Sequence, residues 1–219
     1  AEKHRRLIRR LIGKDTPLYF PQGDPTVTRH TRVRNSTISV GRFTYGHDSI
    51  TLRQHGEGAS LKIGSFCSIA DGVTVLLGGN HRPDWMTTYP FGHIHKDLLR
   101  TPKVPGHPAT KGDIVIGHDV WIGRNVTILS GLRIGNGAVI AATSTVTKDV
   151  GAYEVWGGNP ARFLRRRFDD AVIEALEAVA WWDLPIETIE SLAPHLSAPP
   201  SEEGLARIVA LASAQRPVR

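Results

Sequence analysis

The stretch from residue 114 to residue 150 reads IVIGHDVWIGRNVTILSGLRIGNGAVIAATSTVTKDV. Aliphatic residues occupy every sixth position in it: Ile116, Ile122, Ile128, Ile134, Ile140 and Val146. A helix repeats about every 3.6 residues and a strand alternates with a period of two, so neither produces this spacing. A period of six is typical of parallel β-helices, in which six residues form one short strand and one corner. We therefore predict a mainly β fold of stacked hexapeptide coils with the aliphatic residues pointing inward.

Small residues surround these inward positions. Glycines follow three of them, at positions where a corner requires close approach of the backbone: Gly117, Gly123 and Gly135. A second set leaves room beside the last coils, where a ligand can lie: Ala141, Ala142 and Ser144. A purely structural solenoid would carry the same pattern, so the period predicts the fold and not the function.

The six-residue spacing is interrupted twice. It begins imperfectly at Val27 and Val33, and the polar insert at 52–60 is expected to be a surface loop. It then stops from residue 76 to residue 113. A long irregular loop inside a regular solenoid is usually functional or disordered, and aromatic residues argue against disorder. The loop contains three of them: Trp85, Tyr89 and Phe91.

The chain is expected to form one main domain with appendages. Residues 1–26 are interpreted as an N-terminal helix and connector, and residues 27–156 as the β-helix that carries the loop at 76–113. Residues 157–219 are interpreted as a C-terminal helical segment. Within this segment, Asp169–Ala180 and Glu202–Ala212 have the patterns of two short helices. Trp181, Trp182 and Pro185 are expected to end the first of them.

Composition restricts the class of protein. The formal net charge of +6 favours anionic partners, but no nucleic-acid-binding motif accompanies it. No long apolar run and no signal-peptide pattern occur, so we expect a cytoplasmic protein that binds neither membrane nor nucleic acid. The single cysteine, Cys67, excludes an intrachain disulfide and is expected to be a small core residue rather than a nucleophile.

His81 is the first candidate for a catalytic group. It follows two glycines and an asparagine at the start of the long loop, where an imidazole can project into a groove. A neutral histidine near pH 7 is a natural base for removing a proton from an attacking hydroxyl or amine. The alternative is a loop histidine that only forms a hydrogen bond with the backbone.

Several motifs together carry a resemblance to a known family. The hexapeptide run, GGNHRPDWMTTYPF, DVWIG, TSTVTKDV, GGNPARFLRRRF and AWWDLP resemble the xenobiotic acetyltransferases, the CatB-type branch of the hexapeptide acyltransferases. The resemblance extends roughly from Val33 to Pro185. It implies a left-handed parallel β-helix, an exception to the usual right-handed crossovers. It also implies a homotrimer with active sites between subunits, acetyl-CoA as co-substrate without a metal, and a small-molecule acceptor.

The same resemblance implies roles for individual residues. His81 would be the general base in a direct transfer within a ternary complex, with a backbone N–H stabilising the oxyanion and no acyl-enzyme. The cofactor would be bound by Gly123, Ala142, Thr147, Lys148, Arg162 and Arg165. For the acceptor, the residues themselves indicate Tyr45, Asp84, Trp85 and Tyr89 as binding residues, and the resemblance adds Trp121.

Structural alternatives exist for several of these residues. Asp84 is equally interpreted as a turn-forming residue, and Thr147 as a residue that fills a corner. Trp121 suits a place near the acetyl group or a place in a trimer interface. Arg165 is a ligand of the cofactor phosphates or, together with Arg166 and Arg167, part of a solvated run of charges.

The acceptor and two rival functions remain open on the sequence alone. The acceptor is a hydroxyl of a chloramphenicol-like or streptogramin-like xenobiotic or of a sugar, or else the amine of a nucleotide-linked amino sugar. A zinc carbonic-anhydrase-like trimer is the first rival, with His81, His93, His95, His107 and His118 as candidate ligands. The second rival is an inert trimeric scaffold.

Overall fold

The computed structural model describes residues 16–17 and 23–214, and the predicted N-terminal helix lies outside them. The strands are β1 (Thr16–Pro17), β2 (Arg29–Val33), β3 (Ser36–Val40), β4 (Thr51–Arg53), β5 (Leu61–Ile63), β6 (Ser68–Ile69), β7 (Thr74–Leu76), β8 (Ile114–Ile116), β9 (Trp121–Ile122), β10 (Thr127–Ile128), β11 (Arg133–Ile134), β12 (Val139–Ile140), β13 (Thr145–Val146), β14 (Glu154–Gly158) and β15 (Ala161–Arg166). The helices are α1 (Lys96–Leu99), α2 (Asp170–Val179), α3 (Ile186–Leu196) and α4 (Glu202–Ser213), with 3-10 turns at His47–Ser49 and Trp181–Asp183.

The strands form three five-stranded sheets, which are the three sides of a parallel β-helix. The first sheet has the order β1-β4-β7-β10-β13, the second β2-β3-β5-β8-β11 and the third β6-β9-β12-β14-β15. Successive strands pass from the third sheet to the first, then to the second, and back to the third. Pairing is parallel except at the ends of the solenoid, where β1–β4, β2–β3 and β14–β15 are antiparallel.

The inward aliphatic columns predicted from the period of six are confirmed. In the first sheet Leu52 pairs with Val75, Val75 with Ile128 and Ile128 with Val146, so the side chains stack from coil to coil. The six predicted positions between residues 116 and 146 are at most 2% exposed. Each fully buried side chain of this kind contributes about 1.5–3 kcal/mol.

The beginning of the solenoid differs from the sequence-based prediction. Val27 is 52% exposed, and β2 forms an antiparallel hairpin with β3, so the inward column begins at Ile38. The surface loop predicted at 52–60 is wrong at its start, because Leu52 is 1% exposed and lies in β4. Because polar residues follow Leu52, the sequence pattern there is that of a loop and not of the buried column. The loop itself comprises residues 54–60.

The chain leaves the solenoid through a hairpin and then helices. β14 and β15 are antiparallel, and α2 follows with Asp169 as its N-cap. The predicted helices near 169–180 and 202–212 are confirmed as α2 and α4. α3 is not predicted by the sequence pattern, in which Pro185 indicates only the end of the preceding helix. Pro185 is instead the residue before α3, a position where proline is well tolerated.

The C-terminal segment packs against the outside of the coils. The Arg42 guanidinium donates hydrogen bonds to the carbonyls of Trp182 (2.7 Å) and Leu184 (2.5 Å). The His118 ring stacks on Trp182 with centroids 5.2 Å apart. These contacts fix the helices to the coils of the second and third sheets. Among the described helices, none has the length and apolarity needed to cross a membrane.

The central column provides a test of the fold. We expect Ile128→Ala to lower the free energy of unfolding by about 2–5 kcal/mol, because it leaves a cavity between Val75 and Val146. The measurement is urea denaturation at fixed protein concentration. Val27→Ala is the control and should change stability by less than about 0.5 kcal/mol. Equal effects of the two substitutions would contradict the stacked-column structure.

Candidate active site

The long loop leaves the solenoid between β7 and β8, at the corner between the first and second sheets, here called the loop corner. Its two ends are joined, since Asn80 and Ala109 exchange backbone hydrogen bonds of 3.0 and 2.9 Å. The Asn80 side-chain amide also donates to Ser130 Oγ at 3.1 Å. The next residue in the chain, His81, therefore extends from an anchored position.

The His81 ring has a defined orientation. Its Nδ1 lies 2.6 Å from the carbonyl oxygen of Thr88. A carbonyl can only accept, so Nδ1 carries the proton in the neutral ring and Nε2 keeps a free lone pair. His81 is exposed, so Nε2 is accessible to a substrate. This arrangement suits a general base.

Two further histidines line the same loop. The His107 ring lies edge-on to His81 with centroids 4.7 Å apart, and His93 lies 5.1 Å from His107. Burial lowers the pKa of His107, and the nearby His81 and His93 lower this pKa further. These effects favour the neutral form of His107, whose ring forms a wall beside His81. The sequence analysis had considered His107 only as a candidate metal ligand.

One candidate metal ligand, His118, lies outside the long loop. His118 lies against Trp182, and its Nδ1 accepts a hydrogen bond of 3.0 Å from the Ser65 backbone N–H. Burial lowers the pKa of His118. In residues 23–214, no three side chains of His, Cys, Asp or Glu are grouped in an arrangement that could hold a metal ion.

Asp84 is engaged within its own loop. Arg82 donates to it through two nitrogens, and its guanidinium also lies 5.1 Å from the centre of the Trp85 ring. The hydrogen bonds from Arg82 lower the pKa of Asp84 to about 2. Tyr89 contacts Phe91 with ring centroids 4.9 Å apart. Asp84 and Trp85 are therefore both contacted by Arg82, and Tyr89 is contacted by Phe91.

A groove lies on the outer face of the third sheet. Strand pairing aligns one outward column along it: Tyr45, Ser68, Trp121, Val139 and Val155. Arg165 pairs with Val155 and continues the column. Since neighbouring strands are about 4.8 Å apart, the column offers an extended surface. The cavity along it has a volume of about 710 Å³ and is lined by Trp121, Gly123, Ala142 and Arg165 among others.

Small residues shape one edge of this groove, at the corner between the third and first sheets. A Cβ added at Gly123 would come within 2.6 Å of the Ala142 backbone nitrogen, so only glycine allows these coils to stack so closely. Ala142 itself is exposed. This corner therefore offers backbone groups to an extended ligand without blocking it.

The sequence analysis missed two charged residues of the groove, Asp119 and Arg167. Arg167 donates to the Gly137 carbonyl at 2.7 Å and lies 3.5 Å from the Asp119 carboxylate. Burial raises the pKa of Asp119, and Arg167 opposes that shift. Arg167 is half-buried and thus is not part of a solvated charge run. Arg167 lies at the bend directly after β15 and lines the same groove as Arg165.

The remaining candidates lie apart from the groove. Thr147 and Lys148 follow β13 and therefore lie at the loop corner. Arg162 is exposed, and its guanidinium donates to the Ala161 carbonyl at 3.1 Å. Within the described part of the chain, the groove lining contains no residue of the long loop. His81 and the groove thus lie on different sides of the solenoid in one copy of the chain.

Cys67 belongs to the core, as predicted. It is completely buried, and its Sγ donates to the Gly117 carbonyl at 3.1 Å. Burial raises the pKa of the thiol to about 11. A thiol that stays protonated and inaccessible at neutral pH is not a nucleophile.

Comparison with known proteins identifies related sequences. A family model described as bacterial transferase hexapeptide (six repeats) matches residues 113–148. The chain is 39% identical over 178 residues to a chloramphenicol acetyltransferase of Escherichia coli, covering 75% of this chain and 84% of that protein. It is 42% identical over 182 residues to a virginiamycin A acetyltransferase of Staphylococcus aureus, covering 78% and 80%. It is 47% identical over 145 residues to a probable macrolide acetyltransferase of Lysinibacillus sphaericus, covering 65% and 80%.

Proposed function

Because this chain belongs to the xenobiotic acetyltransferase branch of the hexapeptide-repeat acyltransferases, we propose that it transfers acetyl from acetyl-CoA to a hydroxyl of a small xenobiotic, with His81 as general base. The role of His81 is supported by the hydrogen bond from its Nδ1 to the Thr88 carbonyl. This bond leaves Nε2 free to accept a proton.

The mechanism is direct transfer in a ternary complex. His81 Nε2 removes the proton of the acceptor hydroxyl, and the oxygen attacks the thioester carbonyl. A backbone N–H stabilises the negative charge on the tetrahedral oxygen. The intermediate then collapses, the C–S bond breaks, and the CoA thiolate takes the proton from His81. The buried state of Cys67 supports a route without an acyl-enzyme.

The proposed donor site is the groove on the third sheet. Gly123 and Ala142 would lie along the pantetheine, and Trp121 would lie near the acetyl group. Arg165 would contact the CoA phosphates, because a guanidinium binds phosphate through two parallel hydrogen bonds. We add Arg167, held between the Asp119 carboxylate and the Gly137 carbonyl, as a residue that shapes this wall.

We further propose left-handed coils and a homotrimer, for which family membership is the support. A trimer would set the loop corner of one subunit against the groove of its neighbour. Thr147 and Lys148 share the loop corner with His81, so they would face the same neighbouring groove. The exposed Arg162 would reach the cofactor from the β14–β15 hairpin. The separation of His81 from the groove within one chain supports a site between subunits.

We also propose a division of the chain into segments and a cellular location. Residues 27–156 would be the main part of the β-helix, with the active-site loop at 76–113. Residues 1–26 and 157–219 would be appendages that contribute β1 and β15 to the edges of its sheets. A cytoplasmic location would suit a protein that uses acetyl-CoA and keeps Cys67 reduced.

The acceptor is proposed from the relatives and from the loop. The names of the relatives specify chloramphenicol, virginiamycin A and macrolides as their acceptors. In this chain Trp85, Tyr89 and Phe91 supply an aromatic surface on the loop that carries His81. Such a surface suits an apolar antibiotic or one face of a sugar ring. Asp84, held by Arg82, would orient this loop, and Tyr45 would contribute from the end of the groove.

His81→Ala tests the function directly. We expect kcat to fall by about 10²–10⁴-fold while folding and CoA binding persist, because the base is lost and the coils are untouched. The assay is thiol release from acetyl-CoA with chloramphenicol, a streptogramin A, a macrolide, simple sugars and nucleotide-linked amino sugars. His95→Ala, in the same loop, is the control and should keep wild-type turnover. Unchanged turnover in His81→Ala would refute the assignment.

Arg165→Ala tests the donor groove. We expect the affinity for CoA to fall by about tenfold or more, since hydrogen bonds between charged groups contribute about 1.5–3 kcal/mol. The affinity for dephospho-CoA should fall less. The measurement is isothermal titration calorimetry, with Arg32→Ala at the other end of the solenoid as a neutral control. An equal loss for both ligands would show that Arg165 does not contact the phosphate that dephospho-CoA lacks.

Mixed trimers test whether the site lies between subunits. His81→Ala lacks the base, and Ala142→Trp should block the groove, so each variant alone is expected to be inactive. Random mixing should restore about a quarter of the sites, because one subunit then supplies the loop and its neighbour the groove. The measurement is the transfer rate after co-refolding. A mixture as inactive as its components would place the whole site within one chain.

A further inference from the structure

The short loop at 54–60, here called the insert loop, is held in place from two sides. The Asn35 side-chain amide donates to the Gly56 carbonyl at 2.6 Å, which ties the loop to the β2–β3 hairpin. The Ser60 backbone N–H donates to the Asp113 carboxylate at 2.7 Å. Asp113 is the last residue before β8, so the insert loop is joined to the end of the active-site loop.

Glu57 is the residue of the insert loop that reaches the start of the active-site loop. Its Oε1 accepts the backbone N–H of Gly79 at 2.5 Å, and its Oε2 accepts the backbone N–H of His55 at 2.7 Å. Both carboxylate oxygens are therefore used, and both bonds involve a charged acceptor, which makes them stronger than neutral ones. Gly79 precedes His81 by two residues.

The two glycines before Asn80 make this contact possible. A Cβ added at Gly78 would lie 2.5 Å from the Glu57 carboxylate, and one at Gly79 would lie 2.6 Å from the His55 ring. Gly79 also has a φ of +83°, which side chains other than glycine rarely adopt. A glycine pair is conformationally free by itself, so an external contact is needed to hold one conformation. Glu57 supplies that contact.

The Glu57 carboxylate also acts electrostatically on His107, the ring beside His81. Burial lowers the pKa of His107, the neighbouring His81 and His93 lower it further, and the negative charge of Glu57 opposes them. Glu57 therefore acts on the ring that contacts His81 edge-on. The position of the His81 ring thus depends on the Thr88 carbonyl, on the His107 ring and on the Gly79 backbone, which Glu57 of the insert loop contacts.

We propose that Glu57 is a positioning residue for acetyl transfer: by fixing the Gly79 backbone it sets the direction in which His81 presents Nε2 to the acceptor. This inference rests on the proposed function of His81. Displacing a reacting group by about 1 Å can cost about 100-fold in rate. Glu57 itself contacts neither substrate nor cofactor in this scheme.

The test compares two glutamates that each accept two N–H donors. Glu154 Oε2 accepts the Gly151 N–H at 2.8 Å and the Trp156 Nε1–H at 2.7 Å, at the far end of the solenoid. For Glu57→Ala we expect kcat to fall by about tenfold or more, with the KM for acetyl-CoA within about twofold of wild type. Glu154→Ala should keep the wild-type kcat. Glu57→Gln should be intermediate, because an amide retains only one acceptor oxygen.

Hydrogen exchange gives a readout that needs no acceptor. We expect faster amide exchange in the peptide at 77–82 for Glu57→Ala, and wild-type exchange in that peptide for Glu154→Ala. Unchanged exchange at 77–82 in Glu57→Ala would overturn the inference even if the acceptor panel gave no turnover. Faster exchange spread equally over all coils would also overturn it, because Glu57 would then have a purely structural role.

The kinetic outcomes separate this inference from the proposed function. If His81→Ala keeps wild-type turnover, the role of the base fails and that of Glu57 fails with it. If His81→Ala is inactive while Glu57→Ala keeps the wild-type kcat, only the positioning role is overturned. A fall in kcat with an unchanged KM, limited to the Glu57 variants, supports both.

Discussion

Stacking of one aliphatic residue per six along the chain is the constraint on which the rest of the structure depends. Each inward residue is buried by its equivalents in the coils on either side, as Ile128 is between Val75 and Val146. The spacing therefore cannot change within a coil without exposing the column. Additional residues can be inserted only at the corners of the β-helix, where a strand of one sheet ends. The loops at 54–60 and 77–113 leave from the same corner, between the first and second sheets.

The β-helix holds His81 and the groove on different sides of one chain. It therefore limits the ways in which the two can approach each other. The outer face of the third sheet repeats in register, so it can form a straight groove for an extended cofactor such as the one proposed. The loop corner has no such regularity and supplies an anchored histidine. The proposed trimer reconciles the two, because a threefold assembly sets one corner of each solenoid against a face of the next. In that arrangement, the insert loop would control the geometry of the base from outside the groove.

Features were predicted correctly from the sequence where the local pattern of residues also determines which residues are buried together. The column, the long loop, α2 and α4 all follow from spacing, capping residues and apolar faces. Prediction from the sequence failed for residues whose immediate neighbours in the chain suggested a different environment from the one they have in the fold. Leu52 has polar residues after it, and Pro185 was interpreted as a helix end although it precedes α3. Arg167 belongs to a basic run, yet Asp119 and the Gly137 carbonyl hold it in the wall of the groove.

By itself, the amino-acid sequence determined the coil architecture and the choice of His81 as the candidate base, because hydrophobic period and local motifs are properties of consecutive residues. Only the tertiary structure decided which nitrogen of His81 is free, since that depends on the Thr88 carbonyl meeting Nδ1. It also decided that Glu57 contacts Gly79, because the contact joins coils that are separated by 22 positions in the chain. Hydrogen bonds of this kind depend on the stacking of coils, and no local pattern in the sequence specifies them.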